Sequence, residues 1–321
     1  MNRFSIGQAW SHATGFFSGN AANHAIAIIG VGILIPLVLQ LVLVGNPMEN
    51  AFNPALMAGN PQMMAGLGAG VFLMSLLSYV LQFGSYYSSW RLGYSNPNDL
   101  PGGLRFGMIA GAVMVGLMIA TIIVMALLAY ATSPLIVIPF LLVLMVFFVV
   151  MYPWLFGFMA IVFVLIAAFG SYALSSLAPM MGGGDSAGGG GIMIVVLLLV
   201  GALLLWLSAR LSCTAPSMAD QGEFLPFNAI KRSWAMTAEG QWRIVGYFLL
   251  IGVVLFVLAI ILALAIGSSF QSMMMGGEGP GIVTILVMTV LVSIPMAYFT
   301  VAIPAGIYRA IGHQSAGDVF A

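Results

Sequence analysis

Residues 191–213 read GIMIVVLLLVGALLLWLSARLSC, and this stretch decides the fold. It holds no charged residue before Arg210. A helix of this length crosses a hydrocarbon core of about 30 Å. Its apolar residues run continuously and do not alternate, so helices are expected and not a closed barrel. Working outward, runs of the same kind occupy 24–45, 64–90, 104–130, 241–267 and 281–308. The stretch 134–178 is roughly twice a single span. With Pro153 near its middle, it reads as two helices, 134–151 and 154–178.

Composition agrees. The 321 residues are 62% hydrophobic and 5% charged, with eight Lys+Arg against eight Asp+Glu. Soluble domains carry about a quarter charged residues, which excludes a soluble enzyme. Eight dispersed cations make no footprint for nucleic acid. One cysteine, Cys213, rules out an intrachain disulfide. The N-terminus lacks a secretory pattern, so the first apolar run reads as a retained span. The expected fold is all-α: a polytopic transmembrane helical bundle forming a single integral membrane domain over 1–321.

Charge gives the orientation. Lys and Arg mark cytoplasmic connectors. Arg3, Arg91, Arg105, Arg210, Lys231, Arg232, Arg243 and Arg309 all fall on one side of the expected spans. The other long connectors, 46–63, 179–190 and 268–280, hold only the acids Glu49, Asp185 and Glu278. This parity requires 134–178 to cross an even number of times. About eight spans are expected, with both termini cytoplasmic in a bacterial inner membrane. Six spans plus a re-entrant hairpin over 134–178, with its uncharged turn at 151–154, is the alternative. The layout is then an amphipathic helix in 1–20, spans one to five in 24–178 and span six at 191–213. A cytoplasmic amphipathic segment, 214–240, precedes spans seven and eight in 241–308.

In the N-terminal segment Ile6, Trp10, Ala13 and Phe17 share one helical face, with Ser5, Gln8, Ser11, His12 and Gly15 largely opposite. In 226–238 Phe227, Ile230 and Trp234 form a stripe with Lys231 at its edge, while Arg232 and Asn228 point elsewhere. Both are expected in the interface plane, anchored by aromatic rings. Lead-ins at 3–20, 91–105 and 216–243, each followed by a membrane hairpin, suggest a weak architectural repeat.

Within lipid, small residues let helices approach. Gly66 and Gly70, and Gly107 and Gly111, have the required spacing. Pro36, Pro139, Pro295 and Pro304 are expected to kink their spans. Gln40 and Gln82 are the bulkiest polar residues deep in spans, suited to interhelical hydrogen bonds or to lining a path.

The chemistry of coupled transport is missing. No Asp, Glu, Lys or Arg lies near the centre of an expected span, against a proton or ion pathway. The glycine-rich run 182–191 has no Lys and so is no phosphate-binding loop. His12, His24 and His313 have no metal spacing, and Cys213 has no neighbouring His. Nothing points to a cofactor. Methionines Met48, Met57, Met63, Met64, Met180, Met181, Met273, Met274 and Met275 fall in or beside the external connectors. Thioethers suit Cu(I), a minor reading against plain membrane-dipped loops.

The most specific stretch is 210–244, RLSCTAPSMADQGEFLPFNAIKRSWAMTAEGQWRI. It resembles the bacterial membrane family typified by the membrane domain of glycerophosphoryl diester phosphodiesterase. The resemblance rests on Arg210, Pro216, Gly222, Ala229, Lys231, Arg232, Ser233, Trp234, Thr237, Trp242 and Arg243. Two positions depart: Gln221 replaces an acid, with Asp220 one residue early, and Glu239 replaces a glycine, with Gly240 one later. The resemblance implies a membrane domain without the fused catalytic barrel, whose metal-site residues have no counterpart here.

These readings converge on a non-enzymatic membrane protein, an accessory, scaffold or assembly subunit or a lipid-interacting factor. Its partners would be membrane lipids and other membrane subunits, and not nucleic acid. The candidate contacts are Arg210, Lys231, Arg232, Trp234, Trp242 and Arg243. The alternative is a transporter or flippase of an apolar or amphipathic substrate, its path lined by Gln40 and Gln82.

Overall fold

The computed structural model describes residues 4–43, 61–131, 187–274 and 282–317, and among these there is no strand. Helix α1 (Ile6–Thr14) begins at Ser5, whose hydroxyl accepts from the Gln8 backbone N–H. Helix α2 (Ala21–Ala25) is capped likewise by Asn20. It runs into a π-helical stretch (Ile26–Leu34) and then α3 (Ile35–Leu43). Pro36 lies just past the π stretch and has no N–H to give to a carbonyl one turn back. The Ile35 N–H instead reaches Gly30 O, five residues away. The wider turn sets Gly32 directly against the Ser85 side chain, where a Cβ would collide.

Helices α4 (Pro61–Tyr94) and α5 (Leu100–Ala131) form a hairpin. The Asp99 carboxylate accepts from the Gly102 N–H at 2.9 Å and starts α5. Then come α6 (Ala187–Leu211), α7 (Thr214–Gln221), α8 (Pro226–Met236), α9 (Gln241–Met274) and α10 (Ile282–Gly317). Gly222, at φ +70°, ends α7 in the left-handed conformation a side chain resists. Pro226 opens α8, its missing N–H costing nothing in the first turn.

Five stretches among the described residues are long and apolar enough to cross a membrane: Ala21–Leu43, Leu100–Val124, Leu198–Gln221, Gln241–Leu258 and Val290–Gly312. Helix α4 covers the expected span 64–90, and the side chains of its residues 70–94 are described. Pro295 and Pro304 both lie inside the continuous α10. The stretch 134–178, including Pro139, and most of the methionine-bearing connectors lie outside the described residues, as do Glu49, Asp185 and Glu278.

All seven described Lys and Arg residues gather at one end of the bundle. There α4 and α5 meet, α6 and α10 approach their C-termini, α9 starts, and α1, α7 and α8 cover the spans. Ala187 lies at the other end of α6, about 36 Å away along the axis.

The amphipathic segments are helical but packed differently from the simple in-plane picture. α1 docks on α10 through its alanines, not its large residues. Ala9 and Ala13 are buried against Gly306, where any Cβ would strike the Ala9 carbonyl. Ile6 and Trp10 face outward. On α8 the small Ala229 and Ser233 are buried, and Phe227 and Trp234 are exposed. Close backbone approach outweighs the hydrophobic stripe where both neighbours are membrane helices.

Candidate functional site

The end rich in cations is built from arginines that turn inward and close helix termini. Arg91, near the end of α4, donates through Nη1 to Ala219 O at 2.8 Å and Asp220 O at 3.0 Å. These are carbonyls at the C-terminus of α7, where a cation meets both orphan acceptors and the negative end of the dipole. Arg309 donates to Gly93 O at 2.8 Å near the end of α4, and its guanidinium lies 5.0 Å from the Phe16 ring centre. Arg243 donates to Phe4 O at 3.0 Å, tying the start of α9 to the N-terminal segment. Neutral donors also link the helices: Trp90 Nε1 donates to Val301 O at 2.9 Å, and Tyr308 donates to the Asp220 carboxylate at 2.8 Å.

Arg232 holds the α7–α8 turn. Its two Nη atoms grip both oxygens of Glu223, at 2.9 and 2.6 Å, and Nε reaches Ser217 Oγ at 2.9 Å. The fork matches the carboxylate plane. Arg232 holds the Glu223 carboxyl below the usual carboxylate range, and Glu223 holds the guanidinium more firmly charged. Residues of the resembling motif meet here. Ser233 Oγ donates to Arg210 O at 2.8 Å and accepts from the Cys213 N–H at 3.2 Å. Thr237 also donates to Arg210 O, at 3.2 Å.

Arg210 differs from the others. It is 6% exposed, and its Nε is buried without a partner. The guanidinium carbon lies 4.3 Å from the centre of the Trp234 ring. Trp234 meets Trp206 edge-on at 5.5 Å, and Trp206 Nε1 donates to Gln241 Oε1 at 3.2 Å. Lys231 is exposed three residues before Trp234, and Trp242 is 70% exposed at the start of α9.

The packing glycines divide. Gly107 and Gly111 press on Gly84 and the Ser88 region of α4, so close that a Cβ on Gly107 would meet Ser88 Oγ and Gly84 O. Gly70 has nothing within 4 Å, and the surroundings of Gly66 are outside the described residues. Gln82 donates to Tyr86 at 3.0 Å within its own helix, and Gln40 is half-buried on α3.

His24 is buried, its Nδ1 2.6 Å from Ser89 Oγ and its ring between Phe16 and Phe17. The sequence pattern puts it at the interface, and no local motif announces its contact with α4. Asn20 and Asn23 both donate to Pro97 O, latching α2 to the α4–α5 loop. Among the described residues no three His, Cys, Asp or Glu side chains converge. A groove of about 350 Å³ runs between α1, α9 and α10, lined by Ile6, Trp10, Tyr247, Ile251, Val254 and Phe299 among others.

Residues 190–315 match the family described as the membrane domain of glycerophosphoryl diester phosphodiesterase. The match reaches well beyond the 35-residue motif, from the start of α6 to the end of α10. It concerns the membrane domain and not the catalytic one. No match is found among the curated proteins or among the solved structures.

Proposed function

We propose that this chain is a non-catalytic scaffold of the bacterial inner membrane that binds lipid at its cation-rich, cytoplasmic end. The observation that carries the reading is the division of labour at that end. Four arginines close helix termini and a turn from within, while Trp10, Phe227, Lys231, Trp234 and Trp242 stand on the outside. Tryptophan and lysine together suit the headgroup layer, where each cation contributes about 1 kcal/mol near an anionic leaflet. A plate braced by its own hydrogen bonds is suited to presenting such a surface. Gln82 bonded to Tyr86 within one helix favours a scaffold over a polar path.

Two measurements test this. Native mass spectrometry of the protein purified in mild detergent should retain phospholipid in a defined stoichiometry; a bare chain overturns the reading. In proteoliposomes a fluorescent phospholipid should not be exchanged between leaflets faster than in empty vesicles. Fast exchange would replace the scaffold by a flippase.

A further inference from the structure

We propose that Arg210 is a receptor for the phosphate of a glycerophospholipid, stacked under Trp234 with Lys231 beside it. The inference deepens the lipid-binding reading above and rests on it, but its evidence is separate.

Among the described residues, Arg210 is the arginine drawn inward without an anion. Its Nε has no partner, and no described residue accepts a hydrogen bond or makes an ion pair with its guanidinium. Of the acids in this segment, Glu223 is committed to Arg232 and Asp220 to Tyr308, while Glu239 is exposed in the α8–α9 turn and forms no ion pair with Arg210. The Arg210 carbonyl is taken by Ser233 and Thr237, which pins the backbone and leaves only the side chain open. Thr214, one turn on, also has a buried hydroxyl with no partner.

A buried cation without an anion is costly, and stacking on an aromatic ring offsets only part of that cost. Every other described arginine near this end that is drawn inward found an acceptor, so unpaired burial is not the habit of this surface. The site is also stiff. Trp234 braces the guanidinium, Trp206 braces Trp234, and Gln241 holds Trp206. A planar fork held in one orientation matches two oxygens of a phosphate, which a flexible ammonium does not. Two tryptophans mark headgroup depth, where lipid phosphates are the abundant anions. Lys231 shares the α8 face of Trp234 at three-residue spacing and adds a second, exposed cation.

The test uses the full chain in detergent, titrated with a diacyl phosphatidylglycerol and, in a separate arm, with inorganic phosphate. Bound lipid is read by native mass spectrometry and thermal stabilisation. Wild type should bind the lipid and gain stability. Arg210→Met keeps the bulk and the packing on Trp234; it should bind about tenfold more weakly or worse, the worth of lost charge-assisted bonds. Without lipid it should unfold at a higher temperature than wild type, because the unpaired cation is gone. Should the methionine variant aggregate, Arg210→Lys carries the test: it keeps the charge, loses the fork and should also bind more weakly. Equal lipid binding by wild type and both variants overturns the Arg210 site while leaving the lipid-binding reading intact. No lipid bound by wild type overturns both. Inorganic phosphate binding as tightly as the lipid, and lost in Arg210→Met, overturns the lipid source in favour of a soluble anion.

Discussion

Arg232 and Arg210 lie 22 residues apart at the same end of the molecule, and they meet opposite fates. Around α7, Arg232 is clasped by Glu223 and Ser217, and Arg91 closes the helix end. At the seam of α6 and α8, Arg210 is buried under Trp234 with no acceptor. The residue type is the same. What differs is whether the fold brings a carbonyl or carboxylate within reach. Arginines that find one are structural; Arg210, drawn inward without one, is the position we propose for an outside anion.

Removing the closed side should be costly, in proportion to the acceptors left behind. Arg91→Met strands the carbonyls of Ala219 and Asp220 at the end of α7, and we expect a loss of about 2–3 kcal/mol. Thermal unfolding in detergent reads it, and an unchanged midpoint would remove Arg91 from the brace. Ser233→Ala should cost about 1–2 kcal/mol, because the Cys213 N–H loses its acceptor while Thr237 still serves the Arg210 carbonyl. Glu223→Gln should cost about 0.5–1 kcal/mol, since both partners are partly exposed, and the difference should shrink at high salt.

Acid gives the smallest effect and the most specific. Arg232 holds the Glu223 carboxyl below its usual range. Its contribution is therefore complete above about pH 4, the ordinary glutamate value, and lost as the pH falls through the lowered one. Wild type minus Glu223→Gln, measured from neutral pH downward, should be flat until that range and then vanish. A difference that instead fades near neutrality would show that the pair is not what the mutation removes. Arg210→Met completes the contrast with the reverse sign in lipid-free detergent, a gain where the other changes lose.

Much of the fold was legible because lipid is an unforgiving solvent. Continuous apolar runs admit only helices, and α5, α6, α9 and α10 fall where the hydropathy placed them. The motif around Lys231, Arg232, Ser233 and Trp234 was also readable, and the family match extends from it in both directions. What was not legible depends on contacts between segments far apart in sequence. The face by which α1 docks could not be read from its stripe, because Ala9 and Ala13 gain a partner only when Gly306 arrives from α10. The π-helical turn before Pro36, which sets Gly32 against Ser85, and the burial of His24 beside Ser89 both involve contacts with the distant α4. Gly107 and Gly111 share their spacing with Gly66 and Gly70, yet Gly70 has open space around it. Spacing states that a close approach is possible, and only a neighbour decides that it occurs.

By itself, the sequence determined a helical membrane protein whose cations face one way, since the cost of burying charge and unpaired backbone in lipid leaves no other arrangement. The tertiary structure alone decided which of those cations are satisfied. Whether a guanidinium meets an acceptor is a matter of a few ångströms between distant segments, and no local pattern encodes that distance. Arg232 and Arg210 are both arginines in one 35-residue motif; the placement of Glu223 made one a brace, while Trp234 covers the other without giving it an acceptor.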